Sequence, residues 1–171
     1  MANDRLAALL RSHPETAYDY LEFRRLLAGE ASAFAALRAT PEDIARLTAC
    51  LQTMEAAHAK DDPAEEAAAD VSFHLAIYHA THNVVMVHIM TRLFDLLRQG
   101  VFFDRSDLYL RRGVRDGFLR QHQALYHAIK AGDGPAAKLA AEAHLVSTVE
   151  ALREAQKADQ RRDISIRRRD G

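Results

Sequence analysis

Asp70-Val71-Ser72-Phe73-His74 is the stretch on which the rest of the chain hangs. It lies in a run, 64–80, that is rich in Ala and Glu and free of glycine and proline, so the segment reads as helix. Residues four apart on a helix share a face, and the Asp70 carboxylate and the His74 imidazole therefore converge. Phe73 and Ile77 lie on that same face, which says that it looks into the protein. A carboxylate and an imidazole turned toward a core need a partner, and a metal ion is a good one.

The flanking sequence reads as helix almost throughout. Apolar residues make up 49% of the 171, Ala leads them, and only seven Gly and four Pro interrupt the chain. That composition predicts an all-α protein of one domain, with little of the alternation strands need. A short amphipathic helix over 3–12, with Leu6, Leu9 and Leu10 on one side, ends near His13-Pro14. A second runs over 16–39 with Tyr20, Phe23, Leu27, Ala31 and Phe34 as its apolar stripe. Thr40-Pro41-Glu42-Asp43 starts a third, with Thr as N-cap, Pro at N1 and acids in the first turn; Ile44, Leu47, Leu51 and Met54 face in. Asp61-Asp62-Pro63 separates it from the helix of the opening motif. Asn83 caps a fifth that ends at Gly100, and 101–108 mixes aromatic and acidic residues without a clear pattern. A sixth helix reaches Lys130, with Gly113 and Gly117 as sites of a kink or a close approach. Ala131-Gly132-Asp133-Gly134-Pro135 links it to a seventh, ending near Ala158, before a basic, disordered tail over 159–171. The expected architecture is an antiparallel bundle of six to seven helices.

Charge and cysteine content narrow the function. A net charge of −1 leaves no global footprint for nucleic acid. The single Cys50 excludes an internal disulfide and a Cys-rich zinc site, and reads as a small core residue. No apolar run approaches the ~20 residues that span a bilayer, and no signal-peptide pattern opens the chain; the expectation is a soluble, cytoplasmic protein.

Helical phase then sorts the nine histidines. Phe118, His122, Leu125 and Ile129 form one stripe, so His122 points inward. Ala137, Ala141, His144 and Thr148 share another face, whose small residues leave room for the His144 ring. His79 and His127 fall about 140° away from the inward histidines on their helices. Glu55-Ala56-Ala57-His58 has the spacing of a di-iron pair, but no second such pair accompanies it. Asp70, His74, His122 and His144, from three helices, remain. Two readings fit them: core-edge histidines with Asp70 as acceptor, or one ion held by three imidazoles and a carboxylate. Zinc, nickel, manganese and iron all suit that donor set.

Leu21-Glu22-Phe23-Arg24-Arg25-Leu26-Leu27, Thr40-Pro41-Glu42-Asp43, Asp70-x-x-Phe73-His74, Thr81-His82-Asn83, His122 with Ala128-Ile129-x-Ala131-Gly132-Asp133, and Ala143-His144-Leu145 occur in an order that resembles the FCD domain. This is the C-terminal effector-binding domain of FadR-subfamily GntR transcriptional regulators, and the likeness covers roughly residues 16–155. The details look most like the pyruvate-, lactate- and glycolate-responsive members. The resemblance implies a helical bundle that forms a homodimer and holds a small carboxylate in a central cavity. It also implies that Asp70, His74, His122 and His144 ligate a divalent transition metal, zinc first. An arginine in the first long helix meets the effector in such domains; Arg24 or Arg25 occupies the region, and Arg24 is the better match. Ala28 and Gly29 depart from the family pattern, which has an acidic residue at the first of these.

Residues 1–15 resemble the linker helix that follows a winged helix-turn-helix domain, which this sequence does not contain. The resemblance therefore reads 16–158 as the effector-binding and dimerisation half of a longer repressor, Met1 as a non-native start, and DNA as a partner only through the missing domain. The alternatives are a metal-dependent hydrolase on a helical bundle, which would need a further base beside the ion, and a metal-free dimerisation module. No second inward carboxylate and no Ser or Cys nucleophile is evident near the motifs, with Ser72 off-phase.

Overall fold

The structure, a computed structural model, describes residues 5–13 and 15–167. Pro14, to which the end of the first helix was ascribed, and the last arginines of the basic tail lie outside the described residues. Among the described residues there are seven α-helices and one 3-10 turn: α1 Arg5–Arg11, α2 Thr16–Arg38, α3 Pro41–Ala59, α4 Pro63–Ala80, α5 Val84–Arg98, the turn Arg105–Tyr109, α6 Arg112–Lys130 and α7 Gly134–Arg167. No strand occurs among the described residues.

Local chemistry places most of the helix ends. Thr40 accepts a hydrogen bond from the Asp43 N–H at 3.2 Å, and the Asp43 carboxylate accepts one from the Thr40 N–H at 3.0 Å. This capping box starts α3 with Pro41 already in helical geometry. Asp62 and Asn83 cap α4 and α5 in the same way through their side-chain oxygens. Gly132, at φ +72°, closes α6 with the Asp133 N–H bonded back to the Ala128 carbonyl.

Small residues set how the long helices meet. α2 packs on α7. Gly29 faces Lys138 and Glu142, while Tyr18 lies near Arg153 and Gln156, so the two run antiparallel. Ala28, Ala31, Ala35, Ala137 and Ala141 are all buried in the common core. Alanines let helix axes approach closely, and a larger side chain has nowhere to go. Ala31→Leu is expected to lower stability by about 1–3 kcal/mol, read as an earlier urea midpoint with unchanged slope. α3 and α4 form one helical hairpin, α6 and α7 another, and α4 lies between α2, α3 and α5.

Several sequence expectations shift here. The buried face of α2 runs through Tyr20, Leu21, Arg24, Ala28, Ala31 and Ala35, whereas Phe23 is 42% exposed and Phe34 half-buried. The phase is set by the alanine contact with α7 and by an inward arginine, which outweigh two phenylalanines. α1 docks through Ala7 and Leu10 against Leu96 and Val101, leaving Leu6 and Leu9 largely exposed. α6 is unbroken at Gly113 and Gly117, and nothing approaches either closely. Cys50 is half-buried rather than a core residue. The second half of the ambiguous 101–108 enters the 3-10 turn, capped by Asp104 through the Ser106 N–H, while 101–104 stays irregular. α7 continues past Ala158 to Arg167, since neither glycine nor proline interrupts it after Pro135 and a Glu154–Lys157 pair supports that turn.

Candidate metal centre

Asp70, His74, His122 and His144 meet at the centre of the bundle, each at most 3% exposed. One ligand atom from each lies within 4.8 Å of the others. α4 supplies Asp70 and His74, α6 supplies His122 and α7 supplies His144. The Asp70 Oδ1 is the focus: the Nε2 atoms of His122, His74 and His144 lie 2.7, 3.4 and 4.0 Å from it. Phe73 and Phe118 stand edge-on to His122 and His144 and complete an apolar wall.

The far nitrogens decide the tautomers. His122 Nδ1 lies 2.7 Å from the Phe118 carbonyl, which has no proton to give, so Nδ1–H donates. His144 Nδ1 lies 2.8 Å from Gln121 Oε1, and the Gln121 amide in turn donates to Ser147. Both rings thus direct Nε2 inward with a lone pair. His122 Nε2 then faces the Asp70 carboxylate at 2.7 Å and the His74 Nε2 at 3.2 Å. Facing acceptors repel unless a cation lies between them. His144 Nε2 is buried without any hydrogen-bond partner. Oriented imidazoles backed by a carbonyl and an amide are the outer support that metal-ligating histidines have. The donor set and its spacing fit a divalent transition metal, with bonds of about 2.0–2.2 Å reachable by small side-chain adjustments.

Burial and charge tune the same groups. Burial pushes the His74 imidazole down to about 3, with Asp70 opposing. Burial, and then His122 and His74, hold His144 well below its ordinary value. For Asp70 burial acts upward, but the Arg105 guanidinium and His74 outweigh it and keep the carboxyl well below the usual range. The two histidines therefore stay neutral and the carboxylate ionised, the states in which each is a ligand.

Around this core lies a second shell of buried polar groups. Arg24 of α2 is fully buried, with its guanidinium 4.8 Å from the Phe94 ring and 5.8 Å from the Tyr20 ring, beside the Tyr20 and Tyr78 hydroxyls and with no carboxylate partner. Arg105 of the 3-10 turn ion-pairs through Nη2 with the other Asp70 oxygen, Oδ2. The hydroxyls of Tyr20, Tyr78 and Tyr109 are buried and unpartnered too. Burial raises all three phenols, Tyr78 to about 12, with Arg24 opposing at Tyr20 and Tyr78. Sequence reading named Arg24 but missed Arg105, Tyr78 and Tyr109, and it placed Tyr20 merely in an apolar stripe. Arg105 sits where no periodicity exists, so phase had nothing to say about it. A cleft of about 280 Å³ on the surface is lined by Ala67, Val71, Leu97 and Asp104 and, among these polar groups, by Arg105 alone.

Other candidates fall away. His79, His88 and His127 are exposed, and Arg25 is exposed too. Glu55 bonds to Gln123, while His58 bridges Glu66 and Asp116, so the Glu-x-x-His pair is no metal arm. Glu66, one turn before Asp70, is an inward carboxylate that sequence reading did not find. Arg115 and His58 engage it, which leaves it no freedom to act as a base. Ser72 is exposed and bonded to the Ala68 carbonyl.

An all-α bundle with this buried Asp-His centre matches the FCD domain, over residues 19–147, and the chain belongs to that family. It is 38% identical over 140 residues to a protein named in Escherichia coli as an L-lactate dehydrogenase operon regulatory protein, across 82% of this chain and 53% of that one. It is 37% identical over 127 residues to the Glc operon transcriptional activator of E. coli, across 72% and 50%. With the HTH-type transcriptional regulator LutR of Bacillus subtilis it shares 30% over 148 residues, across 86% and 67%. The chain thus spans about half the length of the first two. Among solved structures, E. coli McbR/YncC superimposes with a TM-score of 0.70 at 21% identity, over 82% of this chain and 65% of that one, which shows the shared fold. The relatives are GntR-family transcriptional regulators and not enzymes. No helix among the described residues is long and apolar enough to cross a membrane.

Proposed function

We propose that this chain is the metal-dependent sensing domain of a transcriptional repressor that answers to a small 2-hydroxy- or 2-oxo-carboxylate, with lactate, pyruvate and glycolate as the first candidates. The observation that carries this reading is the convergence of three imidazole Nε2 atoms on one oxygen of Asp70, two of them with lone pairs turned inward by partners on Nδ1. A divalent transition metal, zinc first, would be held by Asp70, His74, His122 and His144, and would supply a Lewis-acid position for the effector's oxygens. Arg24, buried with no carboxylate partner of its own, is the group to neutralise the effector carboxylate. The name of the L-lactate relative favours the same class of acid.

The domain acts as a homodimer in the cytoplasm and touches DNA through a winged helix-turn-helix domain elsewhere in the full protein. Effector binding shifts the packing of the helices that carry the ligands, and so biases two dimer states that space the DNA-binding domains differently. Elemental analysis of protein purified without chelator should find one metal ion per chain, and His122→Ala or His144→Ala should reduce it to background. Calorimetry of the metal-loaded protein should then detect at least one of lactate, pyruvate and glycolate. Unchanged metal content in both variants would sink the ligand set. Absence of heat with all three acids and with citrate would sink the effector reading.

A further inference from the structure

Two buried guanidiniums flank the Asp-His centre, Arg105 paired with Asp70 and Arg24 on the His74 side, and this imbalance bears on which acid the site accepts. Arginine keeps its charge in proteins, and a buried charge needs a counter-charge and acceptors for its N–H groups. Asp70 supplies one negative charge and serves both sides: Oδ1 faces the three histidines and Oδ2 pairs with Arg105. Arg24 has no carboxylate partner, only the Tyr20 and Tyr78 phenols beside it, and Arg105 makes no hydrogen bond through Nε and Nη1. Before any metal is counted, the cluster carries two positive charges against one negative. A divalent ion widens the gap by two, and a monocarboxylate closes it by one.

We propose that Arg105 is a second carboxylate-binding group of the effector site, so that the natural effector is a two-armed acid, a 2-hydroxy- or 2-oxo-dicarboxylate, with one arm on Arg24 and the other on Arg105. The proposal rests on the metal-and-carboxylate reading above and narrows its ligand class. The two arginines come from separate elements, α2 and the 3-10 turn. Tyr20, whose ring lies 5.8 Å from the Arg24 guanidinium, feels the charge of both arginines, so the two flank the same side of the centre. The unpartnered Tyr109 hydroxyl comes from the same turn as Arg105 and adds a donor there. Room on the Arg105 side exists in the cleft between α4, the end of α5 and the turn.

A plainer role for Arg105 is to hold Asp70 in place for the metal, and the test separates the two. L-lactate and L-malate share the 2-hydroxy acid end and differ by one carboxylate. Calorimetry of zinc-loaded protein should find malate tighter than lactate by about tenfold or more, the worth of one charge-assisted pair. Arg105→Gln should cost malate about tenfold more affinity than it costs lactate, with both acids titrated at equal zinc occupancy. Lactate binding as tightly as malate in the parent protein overturns the proposal, as does an Arg105→Gln variant that weakens both acids equally. If the variant does not fold, the parent's preference alone decides. Heat from lactate but not malate removes only the two-armed effector; silence from both also removes it, and the carboxylate-sensing reading then falls only if pyruvate, glycolate and citrate are silent too.

Discussion

Asp70→Ala should empty the metal centre and destabilise the metal-free fold by about 3–5 kcal/mol, because it leaves a buried cation without its counter-ion. Arg105 is 6% exposed and Asp70 Oδ2 is its ion-pair partner, so the guanidinium would stay in the interior unpaired. Urea unfolding of chelator-treated protein measures the first effect, and elemental analysis of untreated protein the metal. If the pair is the cause, Asp70→Ala combined with Arg105→Met should recover much of the loss, since the double change removes both charges instead of stranding one. An Asp70→Ala variant as stable as its parent would show that the pair contributes nothing.

Acid should unfold the metal-free protein over an unusually wide range. The His74 imidazole is held down to about 3 by burial, against an ordinary value of 6.5. Between those two values the unfolded chain binds a proton that the native protein refuses, so stability falls as pH falls. One such histidine contributes a slope of about 1.4 kcal/mol per pH unit across that window. His144, also depressed, adds in the same direction. Asp70, whose carboxyl is held below its ordinary value, adds a further loss once the pH drops under 3.8. Denaturation midpoints at pH 7.5, 6.5, 5.5 and 4.5 should therefore be flat at the top and fall steeply below 6.5. A level profile down to pH 4.5 would mean that the histidines are not held neutral. Added zinc should raise the plateau through mass action, and the gain should fade in the same window as protons compete for Nε2.

The hydrolase alternative loses its chemical footing in the interior. Glu66 is buried one turn from Asp70, yet Arg115 and His58 occupy it, and Ser72 points to solvent. What surrounds the Asp-His centre is cationic and phenolic, an environment for gripping an anion.

The helices, their starts and four of the central side chains follow from local rules. Thr40-Pro41-Glu42-Asp43 caps a helix wherever it occurs, and i, i+4 spacing puts Asp70 beside His74 without knowledge of any neighbour. Phase likewise turned His122 and His144 inward, because each sits in a stripe that only one helical face can bury.

Three features lay beyond that reach. The face of α2 was misjudged at Phe23 because hydrophobicity marks what can be buried, while the alanine contact with α7 decides what is. Arg105 belongs to a 3-10 turn whose sequence has no period, and its place against Asp70 exists only once α4, α6 and α7 are packed around the turn. Glu66 became inward only when Arg115 arrived from a helix 49 residues away. Sequence alone therefore determined the all-α bundle and the Asp70, His74, His122 and His144 set, since both rest on periodicity within single helices. The tertiary structure alone decided that Arg105 stands beside that set, because a turn without a period meets Asp70 only when separate helices pack around it.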